Sequence, residues 1–245
     1  KTVFGPTAGR SVDRRAGRRK RGPSPRLRGA AALVTMRGMT DADLDGAYAL
    51  DGPASVQAYY AGWAARYDAG FAAATGYALP AAVAAAYAAA GGAGPVLDVG
   101  AGTGLVAEAL ARQGIGPVDG VDLSPEMLAR AAAKGLYRHL IEADVTRPLT
   151  LPAGPCAGIV SAGTFTEGHV GPEAIPMLLA AAAPGAFFTL SVHERVWTAR
   201  GFPAAFAALG PAIAGFEARP VAIYAGDAGA HAGDRAHLVR FRTAG

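Results

Sequence analysis

A glycine-rich turn between an apolar strand and a helix constrains this chain more than any other feature. A strand is predicted over Val96–Val99, and residues 100–104 read Gly-Ala-Gly-Thr-Gly before a helical pattern over 105–113. Two acids follow at intervals of about one strand and one helix, Asp122 ending a second strand and Asp144 just past a third. Because parallel strands end at the same edge of such a sheet, we expect the turn and both carboxylates to lie together.

Strand and helix patterns alternate through the rest of the chain. The further strands are predicted over 118–122, 137–143, 158–161 and 186–192, then 220–224 and 237–242. The helices are predicted over 126–134, 172–183 and 203–209. The last two strands are joined by a loop of Gly, Asp and His, which predicts a hairpin. We therefore predict an α/β fold, a Rossmann-like doubly wound seven-stranded sheet, mostly parallel with a C-terminal antiparallel hairpin.

The segment before the glycine turn, residues 40–94, has a helical pattern. Asp51-Gly-Pro53 is a start signal for one helix, and a second is predicted over 80–90. Tyr60, Trp63 and Tyr67 fall on one face of the first helix. Packing in the core is the ordinary role of such a face, and contact with a cofactor or substrate is the alternative.

The net charge of +4 is the sum of two unlike parts. Residues 1–38 carry eleven basic side chains and one acid, whereas residues 39–245 carry twelve basic and eighteen acidic side chains. The Arg-, Gly- and Pro-rich composition predicts disorder for 1–38. We expect a non-native or non-functional extension; the alternatives are an electrostatic tail for RNA or anionic surfaces, and a targeting segment. The acidic body gives no support to a nucleic-acid partner except through that tail.

The glycine turn favours one nucleotide cofactor over another. The dinucleotide fingerprint is Gly-x-Gly-x-x-Gly, and Leu105 stands where its third glycine would be. Asp98 lies two residues before the turn. A carboxylate so close would repel a pyrophosphate but would attract an ammonium or sulfonium charge. This favours S-adenosylmethionine over NAD(P), with Asp122 placed to accept hydrogen bonds from a ribose diol and Asp144 from an adenine amino group.

Three motifs carry a resemblance to the class I S-adenosylmethionine-dependent methyltransferases. They are Val96-Leu-Asp-Val-Gly-Ala-Gly-Thr-Gly104, Gly120-Val-Asp-Leu-Ser-Pro-Glu-Met-Leu128 and Ala143-Asp-Val145. More narrowly, the chain resembles the Williams–Beuren-region methyltransferase-like family and its bacterial relatives. The segments in question are Tyr59-Tyr-Ala-Gly-Trp63 with Arg66-Tyr-Asp68, Gly76-Tyr77, and Ser161-Ala-Gly-Thr-Phe-Thr-Glu-Gly-His-Val-Gly-Pro172.

The resemblance implies roles for particular residues. Those expected at the methionine end of the cofactor are Asp98, Gly100, Gly102 and Gly104, with Ala162 to Thr164 beside the sulfonium after strand four. Those expected at the nucleoside are Asp122 on the ribose, Leu123 and Met127 against adenine, and Asp144 with Val145 at the adenine edge. The helix with Tyr59, Tyr60, Trp63 and Tyr67 would form a lid. The domains are then the extension 1–38 and a methyltransferase domain 39–245, with a helical lid over 39–94 and a Rossmann-like core over 95–245.

Methyl transfer needs orientation and desolvation more than a particular catalytic group, because the leaving group is already activated. His169 and Glu167 are candidate bases, since their loop follows strand four at the functional edge; His193 and Glu194 follow strand five at that edge. Segment 161–165 lacks the Asn/Asp-Pro-Pro-aromatic motif of enzymes that methylate base or amide nitrogens, so a small-molecule acceptor is expected. The alternatives are a non-catalytic sensor or scaffold that binds S-adenosylmethionine or S-adenosylhomocysteine, an RNA methyltransferase that uses the tail, and a nicotinamide dehydrogenase.

Cysteine and hydropathy bound the remaining possibilities. The single cysteine, Cys156, excludes an internal disulfide and suits a reducing compartment, so we expect a cytoplasmic protein. Cys156 is predicted to precede strand four, partly buried and away from the functional edge. Asp119 is predicted to be solvated or structural. No spacing of His, Asp and Glu predicts a metal site, and no uninterrupted apolar run predicts a membrane span.

Overall fold

The computed structural model describes residue 46, residue 50 and residues 52–63 and 72–245. The extension 1–38 and Tyr67 lie outside the described residues, as do the side chains of Tyr60 and Trp63. The helices are α1 (Pro53–Trp63), α2 (Ala73–Thr75), α3 (Leu79–Ala89), α4 (Leu105–Arg112), α5 (Pro125–Ala133), α6 (Ala174–Ala181), α7 (Glu194–Ala199) and α8 (Phe202–Ala208). The strands are β1 (Val96–Val99), β2 (Val118–Asp122), β3 (Tyr137–Glu142), β4 (Cys156–Phe165), β5 (Ala182–His193), β6 (Ile213–Ala222) and β7 (Arg235–Thr243).

One seven-stranded sheet organises these elements, in the order β3-β2-β1-β4-β5-β7-β6. Strands β1 to β5 pair in parallel, whereas β7 runs antiparallel to both β5 and β6. This confirms the predicted mostly parallel sheet with an antiparallel hairpin. The strand order reverses at β1, which lies between β2 and β4, and the loop after β1 therefore opens at the switch point where such sheets bind ligands.

Strand ends differ from the sequence prediction in the second half of the sheet. Strand β4 continues to Phe165, so Ala162–Thr164 lie within the strand, and their predicted place after it is wrong. Its pairing with β5 shifts register between Ser161 and Phe165, which breaks the regular strand pattern there. Strand β6 begins at Ile213, seven residues before the predicted start at 220, because most of this edge strand is exposed and has no apolar alternation to reveal it.

Apolar side chains cover both faces of the sheet. One cluster joins the central strands to α6, α7 and α8; its largest fully buried members are Phe165, Phe188, Phe202, Leu97, Ile159, Ile175, Leu178 and Leu190. The other joins the strands to α3 and α4 through Val83, Tyr87, Val106 and Leu110, all at most 4% exposed. Burying large side chains in this way stabilises the sheet by about 1.5–3 kcal/mol for each one.

The two longer helices before the glycine turn lie in different places. Helix α3 contributes Val83, Ala84 and Tyr87 to the apolar layer on the sheet. Helix α1 contacts α5, and its Gln57 amide donates a hydrogen bond of 3.3 Å to the carbonyl of Leu123, just after β2. Helix α1 is thus the one that borders the carboxyl edge of the parallel strands.

Candidate active site

The glycine turn after β1 is fixed by hydrogen bonds to the neighbouring strands. The amides of Gly100 and Ala101 both donate to the carbonyl of Val121, at 2.9 and 3.0 Å. Gly100 has φ +66°, and a Cβ there would collide with the side chain of Thr164. Thr164 in turn donates 2.9 Å to the carbonyl of Val99. Only glycine accommodates both this conformation and this contact, so the turn lies close against β4.

Asp122 ends β2 with both carboxylate oxygens oriented by the backbone. Its Oδ2 accepts from the amide of Gly102 at 2.8 Å, and its Oδ1 accepts from the amide of Ser124 at 2.9 Å. Burial raises the pKa of Asp122, and these backbone donors partly offset that effect. Each oxygen keeps further lone-pair capacity, so the carboxylate can still accept from a diol.

Ser124 starts the helix that follows Asp122. Its hydroxyl accepts from the amide of Met127 at 3.2 Å, and Pro125 fills the first helical position. This cap places Leu123 and Met127 in the lining of a cleft beside Asp122. Met127 is 2% exposed and presents a flexible apolar surface, which suits contact with a flat ring.

Asp144 follows β3 and accepts hydrogen bonds from a residue of its own turn. Its Oδ1 accepts from the amide of Thr146 at 2.9 Å and from the Thr146 hydroxyl at 2.6 Å, and its Oδ2 lies 3.5 Å from Arg147 Nε. Burial alone would raise the pKa of Asp144, but the hydrogen bonds from Thr146 and the charge of Arg147 lower it overall. Asp144 and Val145 both line the cleft.

These residues surround one open cleft at the carboxyl edge of the sheet. It encloses about 910 Å³, part of it open to solvent. The predicted site residues in its lining are Gly100, Gly102, Asp122, Leu123, Met127, Asp144, Val145, Ala162 and His169. Gly52 and Val56 extend the lining to the first helix, Ala143 and Thr146 add to it beside Asp144, and Gly163, Thr164, Gly168 and Val170 complete it beside His169.

His169 is the only histidine in this lining. Its Nδ1 lies 2.7 Å from the carbonyl of Glu167. A carbonyl can only accept, so Nδ1 carries the proton and Nε2 the lone pair. Burial lowers the pKa of His169, which keeps the ring neutral at neutral pH. The Glu167 carboxylate instead contacts Arg195 at 3.3 Å and does not line the cleft.

Arg195 connects two loops at the edge of the cleft. It lies 3.3 Å from Glu167, in the loop after β4, and 3.1 Å from Asp234, just before β7. Asp234 also accepts from His231 at 2.9 Å. His193, at the end of β5, accepts from the amide of Arg195 at 3.2 Å and caps α7. No local pattern in the sequence indicates this cluster, because its partners are distant along the chain.

Asp98 and Gly104 are the predicted cofactor residues that the structure places outside the lining. Gly104 caps the start of α4 with φ 94°. Asp98 is fully buried, and the hydroxyl of Tyr137 donates to its Oδ2 at 2.7 Å. Burial raises the pKa of Asp98 to about 7, the Tyr137 hydrogen bond opposes the rise, and the charge of Asp122 adds to it. No motif in the sequence predicts this role for Tyr137.

The structure decides between the two alternatives for Asp119 and corrects the predicted position of Cys156. Asp119 is 3% exposed and accepts two hydrogen bonds from Arg138, at 3.0 and 2.6 Å, so its role is structural and the solvated alternative is wrong. Cys156 begins β4 and does not precede it, and at 2% exposure it is buried rather than partly buried. Burial raises the pKa of the Cys156 thiol to about 11, so the thiol is not reactive at neutral pH.

Residues 72–245, together with the described positions before them, contain no group of three or more His, Cys, Asp and Glu side chains arranged to hold a metal ion. Over the same residues no helix combines the length and the apolar character that crossing a membrane requires.

The sheet order, the glycine turn after β1 and the carboxylate at the end of β2 are the arrangement of the class I S-adenosylmethionine-dependent methyltransferase fold. Residues 96–184 match the methyltransferase domain family. Human methyltransferase-like protein 27 is 42% identical over 84 residues, which are 34% of this chain and 34% of that protein. The matched stretch therefore spans about a third of the curated relative.

Solved structures show the same fold at lower identity. A structure described as an S-adenosyl-L-methionine-dependent methyltransferase of Methanococcus maripaludis superposes with a TM-score of 0.54 at 15% identity, covering 77% of this chain and 94% of that one. A structure from a study of the conversion of a disulfide bond into a thioacetal group during echinomycin biosynthesis gives 0.50 at 24% identity, covering 66% and 80%.

Proposed function

We propose that the chain is an enzyme that transfers a methyl group from S-adenosylmethionine to a small-molecule acceptor. The observation that carries the proposal is Asp122, whose two oxygens are fixed by the amides of Gly102 and Ser124 at the edge of a cleft. Such a preoriented carboxylate accepts both hydroxyls of a ribose. A dinucleotide would instead require a third glycine at Leu105, which begins α4.

The cleft residues would hold the cofactor in a defined order. Gly100 and Gly102 allow close approach of its methionine end, because neither places a side chain in the turn. Leu123 and Met127 pack on the adenine, and Asp144 accepts from its amino group. When bound, the cofactor supplies a methyl group on a positively charged sulfur, and the acceptor atom displaces that sulfur in line.

His169 is the group we propose to take a proton from the acceptor. Its Nε2 holds the lone pair, because Nδ1 is committed to the carbonyl of Glu167 at 2.7 Å. Its pKa is lowered by burial, so the ring is already neutral and ready to accept at pH 7. The carboxylate of Glu167 forms an ion pair with Arg195, and we propose that Glu167 orients His169 through its backbone carbonyl.

The residues on the acceptor side of the cleft favour a small, weakly charged methyl acceptor. Apart from His169, it is lined by Gly163, Thr164, Gly168 and Val170. None of these four side chains is charged, and the body of the chain is acidic, so nothing here would neutralise a phosphate backbone. The buried cysteine supports a reducing compartment, and we propose a cytoplasmic location.

Calorimetry with S-adenosylmethionine tests the cofactor site. We expect Asp122→Asn to weaken binding by about tenfold to a hundredfold, since hydrogen bonds to a charged group contribute about 1.5–3 kcal/mol. Glu142→Gln is the matched control, because Glu142 is exposed at the end of the neighbouring strand and pairs in register with Asp122. Equal affinities for the two variants would refute the assignment of Asp122.

Transfer of a labelled methyl group tests the reaction. The full chain is incubated with methyl-labelled S-adenosylmethionine and with the small-molecule, protein and RNA fractions of a cell extract in turn. Label in the small-molecule fraction supports the proposal. Label in RNA contradicts it, and binding without label in any fraction would identify a cofactor sensor.

A further inference from the structure

Asp98 is a buried carboxylate in an unusual state. It is 0% exposed, and its Oδ1 has no hydrogen-bond partner among the described residues. The hydroxyl of Tyr137, 2.7 Å from Oδ2, is the one side-chain donor that the described structure gives it. A buried carboxylate with so few donors favours its neutral form, so the charge of Asp98 depends heavily on Tyr137.

Tyr137 reaches Asp98 across the intervening strand. Tyr137 begins β3, Asp98 is in β1, and Gly120 of β2 lies between them. A Cβ at Gly120 would come within 2.8 Å of the Tyr137 ring, and one at Gly104 within 3.1 Å. Two glycines, one in β2 and one at the end of the glycine turn, thus make the space that the ring occupies under that turn.

The charges around this pair are few. Burial and the negative charge of Asp122 raise the pKa of both Asp98 and Tyr137. The hydrogen bond from Tyr137 lowers the pKa of Asp98, whereas Asp98 raises the pKa of Tyr137. Glu108 of α4 also acts on Tyr137, and its charge is balanced by Lys134, whose Nζ lies 2.5 Å from it. No basic side chain contacts Asp98 itself among the described residues. A cation bound in the turn would therefore be the main positive charge that Asp98 meets.

We propose that Tyr137 is a positioning residue for the cofactor: its hydroxyl holds Asp98 ionised beneath the glycine turn, and that charge attracts the positively charged methionine end. The inference rests on the proposed cofactor site. Tyr137 does not itself line the cleft. It acts through Asp98, so its contribution depends on pH, which a contribution from packing alone would not.

The test compares the affinity of wild type and Tyr137→Phe for S-adenosylmethionine at several pH values by calorimetry. Losing the hydrogen bond from Tyr137 should raise the pKa of Asp98 by about one to two units. With that pKa about 7 in the wild type, the ionised fraction at pH 7 falls, and affinity should weaken about fivefold to fiftyfold. The ratio of the two dissociation constants should then approach one as the pH rises to 9. Taking this ratio cancels the titration of the ligand's own amine.

Two controls separate charge from packing. Tyr87→Phe removes another buried hydroxyl, one that donates 2.7 Å to the carbonyl of Ala93 away from the cleft, and should leave affinity unchanged. Adenosine lacks the charged end of the cofactor, so its affinity should be equal for wild type and Tyr137→Phe. Equal weakening for adenosine and S-adenosylmethionine, or a ratio independent of pH, would overturn the proposal.

A double-mutant cycle with Asp98→Asn completes the test and does not depend on pH. Asparagine retains the acceptor for Tyr137 but removes the charge, so Tyr137→Phe should have little further effect on affinity in that background. Additive effects would overturn the proposal. If wild type fails to bind S-adenosylmethionine at all, the proposed function fails instead, and thermal melts of each variant identify any loss of folding.

Discussion

Replacing Asp98 with Asn should make the stability of the cofactor-free protein less sensitive to a rise in pH. Asp98 is fully buried, and its pKa rises from 3.8 to about 7 on folding. A raised carboxyl pKa means that the folded state resists ionisation. The penalty is absent below pH 3.8, grows as the pH rises from 3.8 to about 7, and is constant above that.

The magnitude follows from these two pKa values. Each unit of difference corresponds to about 1.36 kcal/mol, so the penalty is roughly 2 kcal/mol at pH 5.5 and roughly 4 kcal/mol at pH 8. The asparagine amide has its own cost of burial, which does not depend on pH and which cancels when the two pH values are compared. Between pH 5.5 and pH 8, wild type should therefore lose about 2 kcal/mol more of its free energy of unfolding than the variant does.

Urea denaturation of both proteins at the two pH values measures this difference. Asp119→Asn is the matched control, because Asp119 is also a buried strand aspartate but is paired with Arg138. Burial alone would raise the pKa of Asp119, yet the hydrogen bonds from Arg138 and His139 lower it overall. This substitution should destabilise the protein at both pH values. Parallel pH dependences for wild type and Asp98→Asn would refute the reasoning about Asp98.

Three other substitutions have definite expected outcomes. Ser124→Ala removes the cap that accepts from the Met127 amide and should lower the free energy of unfolding by about 1 kcal/mol, measured by urea denaturation. Gly100→Ala adds a Cβ at φ +66° against Thr164; we expect it to destabilise by about 1–3 kcal/mol and to weaken cofactor binding in calorimetry, and unchanged affinity would contradict the close approach of the turn. His169→Gln should lower kcat without changing cofactor affinity. Burial lowers the pKa of His169 from 6.5, so the rate of wild type should fall only below pH 6.5. The variant should not show that fall.

The grouping of residues around the glycine turn could be predicted from the sequence because its signals are local. Strands β1 and β2 have the predicted bounds, since each is short, begins at a valine and ends at a glycine turn or an acid. Asp122 and Asp144 follow successive parallel strands, so the fold alone brings them to one edge. The predicted roles of these residues toward a cofactor stay predictions until binding is measured.

The contacts that the sequence did not predict join residues that are far apart along the chain. Tyr137 contacts Asp98 from two strands away, and the glycines at positions 104 and 120 leave room for its ring. Arg195 joins Glu167 and Asp234, which are 28 and 39 residues from it along the chain. No periodic pattern records such pairs, because each depends on side-chain lengths and on loop paths that only the folded chain defines.

The position of Arg195 between two carboxylates makes the three residues unequal as targets of mutation. A change at Glu167 removes the ion pair to the loop after β4, and a change at Asp234 removes the one beside β7. A change at Arg195 removes both at once. A substitution at Glu167 or at Asp234 therefore alters the contacts of one loop only, whereas a substitution at Arg195 alters the contacts of both loops.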